Sequence, residues 1–239
     1  MAIEIVDQVN GWLKTAMSAI FHPTAKPGNN LQQIIMSETR DFGPSVLTGG
    51  QLHKINSATA TLVANEIIAT APVVQQVLKG SVTQAIAFLA AGLCGESRFD
   101  PCAINPNLNK YFRGESIQEA FWRHDLGIAQ FSAIVLCSDP SMKGLTNSEI
   151  QLKAEDIKFA IPHFAALVAK LITDTKAETD ADPGILKNVP INAYLILATE
   201  AYNTGFTGAK NLTALAKGNW TYGSNWLSKT ADYIKILQG

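Results

Sequence analysis

Charge is scarce in this chain. Asp, Glu, Lys and Arg make up 16% of its 239 residues, and 19 basic against 20 acidic side chains leave a formal net charge of −1. A dedicated nucleic-acid binder carries a basic excess, so no nucleic-acid partner is expected. Cysteine is scarce as well. Cys94, Cys102 and Cys137 are odd in number and fit no common zinc spacing. Free, buried thiols are the expectation, with a Cys94–Cys102 pairing left open for an oxidising compartment. His22, His53, His124 and His163 are scattered, with no carboxylate or cysteine at ligand spacing, so no metal and no cofactor are expected. The first twenty residues have no basic start and place Glu4 and Asp7 where a signal peptide is apolar. Synthesis in the cytoplasm without a signal peptide follows as an expectation. No uncharged stretch reaches membrane-spanning length, so no stable membrane insertion is expected. Strand signals are limited to short Val and Ile pieces near Ile128 and Ile134.

What is present is apolar and helical. Hydrophobic residues are 47% of the chain, enough for a sizeable core. Ile3, Val6, Val9, Leu13, Met17 and Ile20 recur at helical spacing. His22 to Asn30 reads as a loop, followed by a short helix over 31–38. A helix over 51–68 is expected to end or kink at Ala71-Pro72. Ser81 is the expected cap of a buried helix reaching Gly95. Ser116 to Glu119 and Thr146 to Glu149 carry the capping-box pattern. The second box opens the longest helical signal, with a kink or break expected at Pro162. Residues 173–182 read as a solvated loop. Pro190 opens a further core helix over 191–201, and Ser224 caps the last helix. The chain is therefore mainly α.

The stretch Gly92 to Pro101 stands apart. An apolar run, Ala85 to Ala91, delivers Glu96 just before the Asp100-Pro101 turn signal. A carboxylate at the end of a buried apolar helix is costly to ionise, which suits a general acid near neutral pH. Two later segments share its character: Gly127-Ile128-Ala129-Gln130 and Ala201-Tyr202-Asn203-Thr204-Gly205.

These three segments, in this order, resemble the motifs of the soluble lytic transglycosylase and goose-type lysozyme superfamily. The resemblance spans roughly Ser81 to Tyr233. It implies a lysozyme-like catalytic lobe with an N-terminal helical extension, acting on peptidoglycan glycan strands. Glu96 matches the catalytic acid, which protonates the glycosidic oxygen between N-acetylmuramic acid and N-acetylglucosamine. Ser97 matches the Ser beside the sugar, and Gln130 the Gln that meets an acetamido group or backbone. Tyr202 matches the Tyr that points toward the acid, and Asn203 the Asn that fixes its turn. Ala129 departs from the family's Met, which leaves Phe131 as a candidate apolar wall. Trp122, next to the second motif, is the best candidate for stacking on a sugar ring.

The reaction type turns on a second carboxylate. A lytic transglycosylase needs only Glu96, as acid and then as base for the muramic acid 6-hydroxyl. An inverting muramidase needs a base for water, and Asp125 is its candidate, with the two carboxyls separated by about 6.5–9.5 Å. Asp100 reads as a turn residue. A rival reading is a phage structural or wall-binding protein that keeps the fold without activity. The unexported chain points to a phage origin, with release through a holin, carriage in a virion, or secretion by another route. Residues 1–80 are expected to pack on the catalytic lobe, with docking to a virion or secretion partner as the alternative.

Overall fold

The computed structural model describes residues 27–39, 55–103, 125–182, 194–203 and 221–239. These residues are mainly helical. The helices are α1 (Pro27–Glu38), α2 (Ser57–Leu78), α3 (Val82–Ser97), α4 (Ala133–Ser138), α5 (Asn147–Glu155), α6 (Ile157–Ala181), α7 (194–203) and α8 (Thr221–Gln238). A two-stranded antiparallel hairpin, β1 (Asp125–Leu126) with β2 (Phe131–Ser132), pairs Asp125 with Ser132 and Leu126 with Phe131. The expected helices at 3–20 and 116–122 and the loops around 105–115 lie outside the described residues, as does the Pro190 start.

Local chemistry sets the helix starts. Ser81 accepts the Gln84 amide at 3.2 Å, while the Gln84 side chain accepts the Ser81 amide at 2.7 Å. That is a reciprocal cap on α3. Thr146 and Glu149 make the same exchange at α5. Four expectations need correcting. α1 begins four residues earlier than expected, with Pro27 at the first helical position, where its missing N–H is not needed. α2 runs through Pro72 and α6 through Pro162, each losing one hydrogen bond without ending. The break near Pro162 falls instead at Asp156, between α5 and α6. There the Asp156 amide donates to Leu152, and its carboxylate accepts the Lys158 amide at 3.0 Å. Residues 173–181 continue α6, supported by Lys170–Asp174 and Lys176–Asp180 pairs one turn apart. Finally, α8 starts at Thr221, so Ser224 lies within it, and its buried hydroxyl has no partner among the described residues.

The described residues fall into two compact units: those within Leu31–Ile67 and Gly92–Phe164, and those within Met1–Asn30, Ile68–Ala91 and Ala165–Gly239. The second holds most of α3. Every residue from Ala85 to Ala91 is buried, so this helix segment is enclosed on all sides. Within the same unit the Trp226 indole donates to the Phe88 carbonyl at 2.8 Å, and the two rings lie 5.2 Å apart. The first unit holds the end of α3, the hairpin, α4 and α5. Its α1 buries Leu31, Ile34 and Ile35.

α2 has the length and apolar content to cross a membrane. Its buried residues, Ala60, Val63, Ala64, Ile67, Ala71 and Val74, fall on one face at helical spacing. The exposed face carries Thr61, Asn65 and Gln76 together with Ala58, Ala69, Pro72 and Val73. Burial is thus confined to one side of the helix.

Candidate functional site

Glu96 occupies the last turn of α3 and is half-buried; Ser97 ends the helix. The chain then reverses through two left-handed residues, Arg98 at φ 53° and Phe99 at φ 66°. Neither is glycine, so this turn is strained and needs its surroundings to hold it. Phe99 supplies one anchor, being fully buried. Asp100 supplies another: its carboxylate is buried and accepts the Cys102 amide at 2.9 Å. Asp100 is thus the turn residue expected of it. Arg98 lies 3.6 Å from Glu38 of α1, a half-exposed pair worth little by itself.

The second motif forms the four-residue tip of the hairpin. The Gln130 amide closes the turn on the Gly127 carbonyl at 3.1 Å. Gly127 has φ +73°, and a Cβ there would overlap the Ala154 carbonyl of α5. Only glycine lets the turn lie so close to that helix. Gln130 is left-handed at φ 49°. Its side-chain nitrogen donates to the carbonyls of Ala103 and Gly127, both at 2.9 Å.

Motifs one and two meet directly. The Ser97 hydroxyl donates to the Ile128 carbonyl at 2.6 Å, with Leu93 O at 3.2 Å. Ser97 is only 5% exposed. Its hydroxyl therefore faces the protein main chain. Phe131 is 2% exposed and packs edge-on against His163, with centroids 5.1 Å apart. It is a core residue under the hairpin, since an apolar ring on the inner side of a strand buries itself. Ala129 is fully buried too. Asp125 is half-buried on β1, opposite Ser132. Trp122 lies outside the described residues.

The same unit carries two features that sequence reasoning missed. Cys102 Sγ lies 3.9 Å from Glu155, and burial, with Glu155 and Asp100 alongside, pushes the thiol up to about 12. None of the three cysteines forms a disulfide. His163 Nδ1 lies 3.2 Å from Asp139, and its ring stacks on Phe159 at 5.2 Å. Hydrogen bonds from the Ser141 hydroxyl and amide hold the Asp139 carboxyl below its ordinary range. Neither pairing has a local signal, because each joins residues more than twenty positions apart.

In the other unit Tyr202 is half-buried near the end of α7, and its ring meets Trp226 edge-on at 5.9 Å. Asn203 is exposed. Two residues before Tyr202, Glu200 is 2% exposed. Its carboxylate accepts the Gly223 amide in the first turn of α8 at 2.8 Å. Burial raises its pKa, and the Gly223 and Tyr222 amides partly offset that. Gly223 is required here, since a Cβ would press on Thr199 Oγ1 and Ile196 O. The one signal for Glu200 in the sequence was a carboxylate in an otherwise apolar helix.

Among the described residues, no group of three or more His, Cys, Asp and Glu side chains could hold a metal ion. No family model matches the chain, and neither a curated protein nor a solved structure matches it.

Proposed function

We propose that the chain is a lysozyme-like peptidoglycan-cleaving enzyme that breaks the β-1,4 bond between N-acetylmuramic acid and N-acetylglucosamine. Glu96 gives its proton to the leaving glycosidic oxygen. It then takes a proton from the muramic acid 6-hydroxyl, whose oxygen attacks the anomeric carbon and leaves a 1,6-anhydro end. One observation carries most of the reading. Glu96 sits on the last turn of an apolar helix, and the next residue is hydrogen-bonded to the Gly127–Gln130 turn. Two of the three segments that resemble lytic transglycosylases are thereby in contact. A carboxylate held at a fixed helix end beside a tight turn can keep its orientation through the reaction. Tyr202 and Asn203 are assigned to substrate binding through the same resemblance.

Asp125 keeps a second reading alive, an inverting muramidase, because it stands on the strand that this turn closes. The test is mass spectrometry of muropeptides released from purified peptidoglycan, with Glu96→Gln alongside. Anhydro-muramic ends are expected from the wild type and no products from the folded variant. Reducing ends would shift the assignment to the hydrolase with Asp125 as base. Full activity in Glu96→Gln would remove Glu96 from the mechanism. Wild-type protein that releases nothing from several wall types would favour a phage structural or wall-binding role.

A further inference from the structure

We propose that Ser97 and Gln130 are positioning residues, which lock the helix end bearing Glu96 to the hairpin turn, and that neither side chain contacts substrate. The inference rests on the reading of Glu96 as the acid.

The lock is a closed circuit of hydrogen bonds. Ser97 has one hydroxyl proton, and its short contact is to Ile128 O at 2.6 Å. The Gly127 amide, one residue earlier in the turn, donates to Ala103 O at 2.9 Å. Gln130 adds its side-chain amide to that same carbonyl and to Gly127 O. Ala103 connects back to the helix end, since its amide donates to Asp100 O and the Asp100 amide donates to Ser97 O, both at 3.2 Å. Both donor hydrogens of the Gln130 amide nitrogen are thus directed at main chain, as is the Ser97 proton. Three residues on this circuit, Arg98, Phe99 and Gln130, are left-handed without being glycine. Strained backbone of this kind persists where its surroundings over-determine it, and it clusters where geometry matters to function. Glu96 precedes Ser97 directly, so its main chain moves with the lock.

A sugar-binding role and a positioning role differ in kinetics. Loss of a uniform substrate contact raises KM and leaves kcat alone; loss of orientation lowers kcat. Steady-state cleavage of soluble peptidoglycan strands should be measured for wild type, Ser97→Ala, Ser97→Thr and Gln130→Gly. The Gly variant tolerates the left-handed backbone while removing the side-chain amide. The expected result for Ser97→Ala and Gln130→Gly is a kcat lower by about tenfold or more with KM within about twofold. Ser97→Thr, which keeps the hydroxyl, should recover most of the rate. A raised KM with unchanged kcat would overturn the proposal.

Hydrogen exchange on the same proteins judges the lock without turnover. In Ser97→Ala the Gly127 and Gln130 amides should exchange about tenfold faster or more. Unchanged protection would overturn the lock even in an active enzyme. Wild-type protein that cleaves nothing would instead sink the Glu96 reading, and exchange would still decide whether the lock exists.

Discussion

Gly127 has no room for a side chain, and it is the tightest point of the hairpin. A methyl group there would overlap the Ala154 carbonyl at a backbone angle that L-residues avoid. Gly127→Ala should therefore destabilise the protein by about 3 kcal/mol or more, read as a lower midpoint in thermal or urea unfolding. Glu200 offers a prediction of the opposite sign. Its native pKa is raised by burial, so the folded protein binds its proton more tightly than the unfolded chain does. Stability from this group is greatest in acid. It falls as pH rises from the ordinary glutamate value of about 4.3 through the raised native value, and the full cost stays above that. In Glu200→Gln the part of the fall in Tm between about pH 4 and about pH 7 that comes from this group should vanish. A variant with the wild-type pH slope would show that the charge is not the source. Cys102 behaves more simply. With its thiol pushed to about 12, it should resist alkylation by iodoacetamide at neutral pH in the folded protein and react once unfolded.

The starts of α3 and α5 were the most legible elements. Ser81 with Gln84 and Thr146 with Glu149 are four-residue signals, and each partner lies within one turn of the other. Because that chemistry is local, it survives without tertiary information. Ser81→Ala and Thr146→Ala should each cost about 1 kcal/mol in chemical unfolding. Neither proline ends its helix. Pro72 and Pro162 each remove one main-chain donor, but the residue before each is packed in the core and helps hold the helix together. Ala71 and Ile161 are both fully buried. The true interruption, Asp156, looks in sequence like any charged surface residue; only its two-sided hydrogen bonding marks it as a joint. The site shows the same division. Glu96 at the end of an apolar run was readable from periodicity. That Ser97 and Gln130 turn inward was not, because their partners, Ile128 and Ala103, lie 31 and 27 residues away.

At the scale of the whole molecule, the segment before residue 81 contributes to the buried interior. Leu31, Ile35 and Ile67 are fully buried, and three such side chains are worth roughly 5–9 kcal/mol as an upper figure. A domain's total stability is about 5–15 kcal/mol. A chain beginning at residue 81 should therefore be insoluble or unfolded, as judged by circular dichroism. A soluble, lytic remainder would make the preceding helices an appendage. The one-sided burial of α2 also has a consequence during synthesis. Its 22 residues leave the ribosome while most of the chain is still untranslated. At about 5–20 residues per second the rest takes on the order of ten seconds to appear. For that interval α2 presents a newly made apolar segment to nascent-chain chaperones and to the machinery that inserts membrane proteins, and the speed of translation past it becomes a variable in how much protein reaches the folded state.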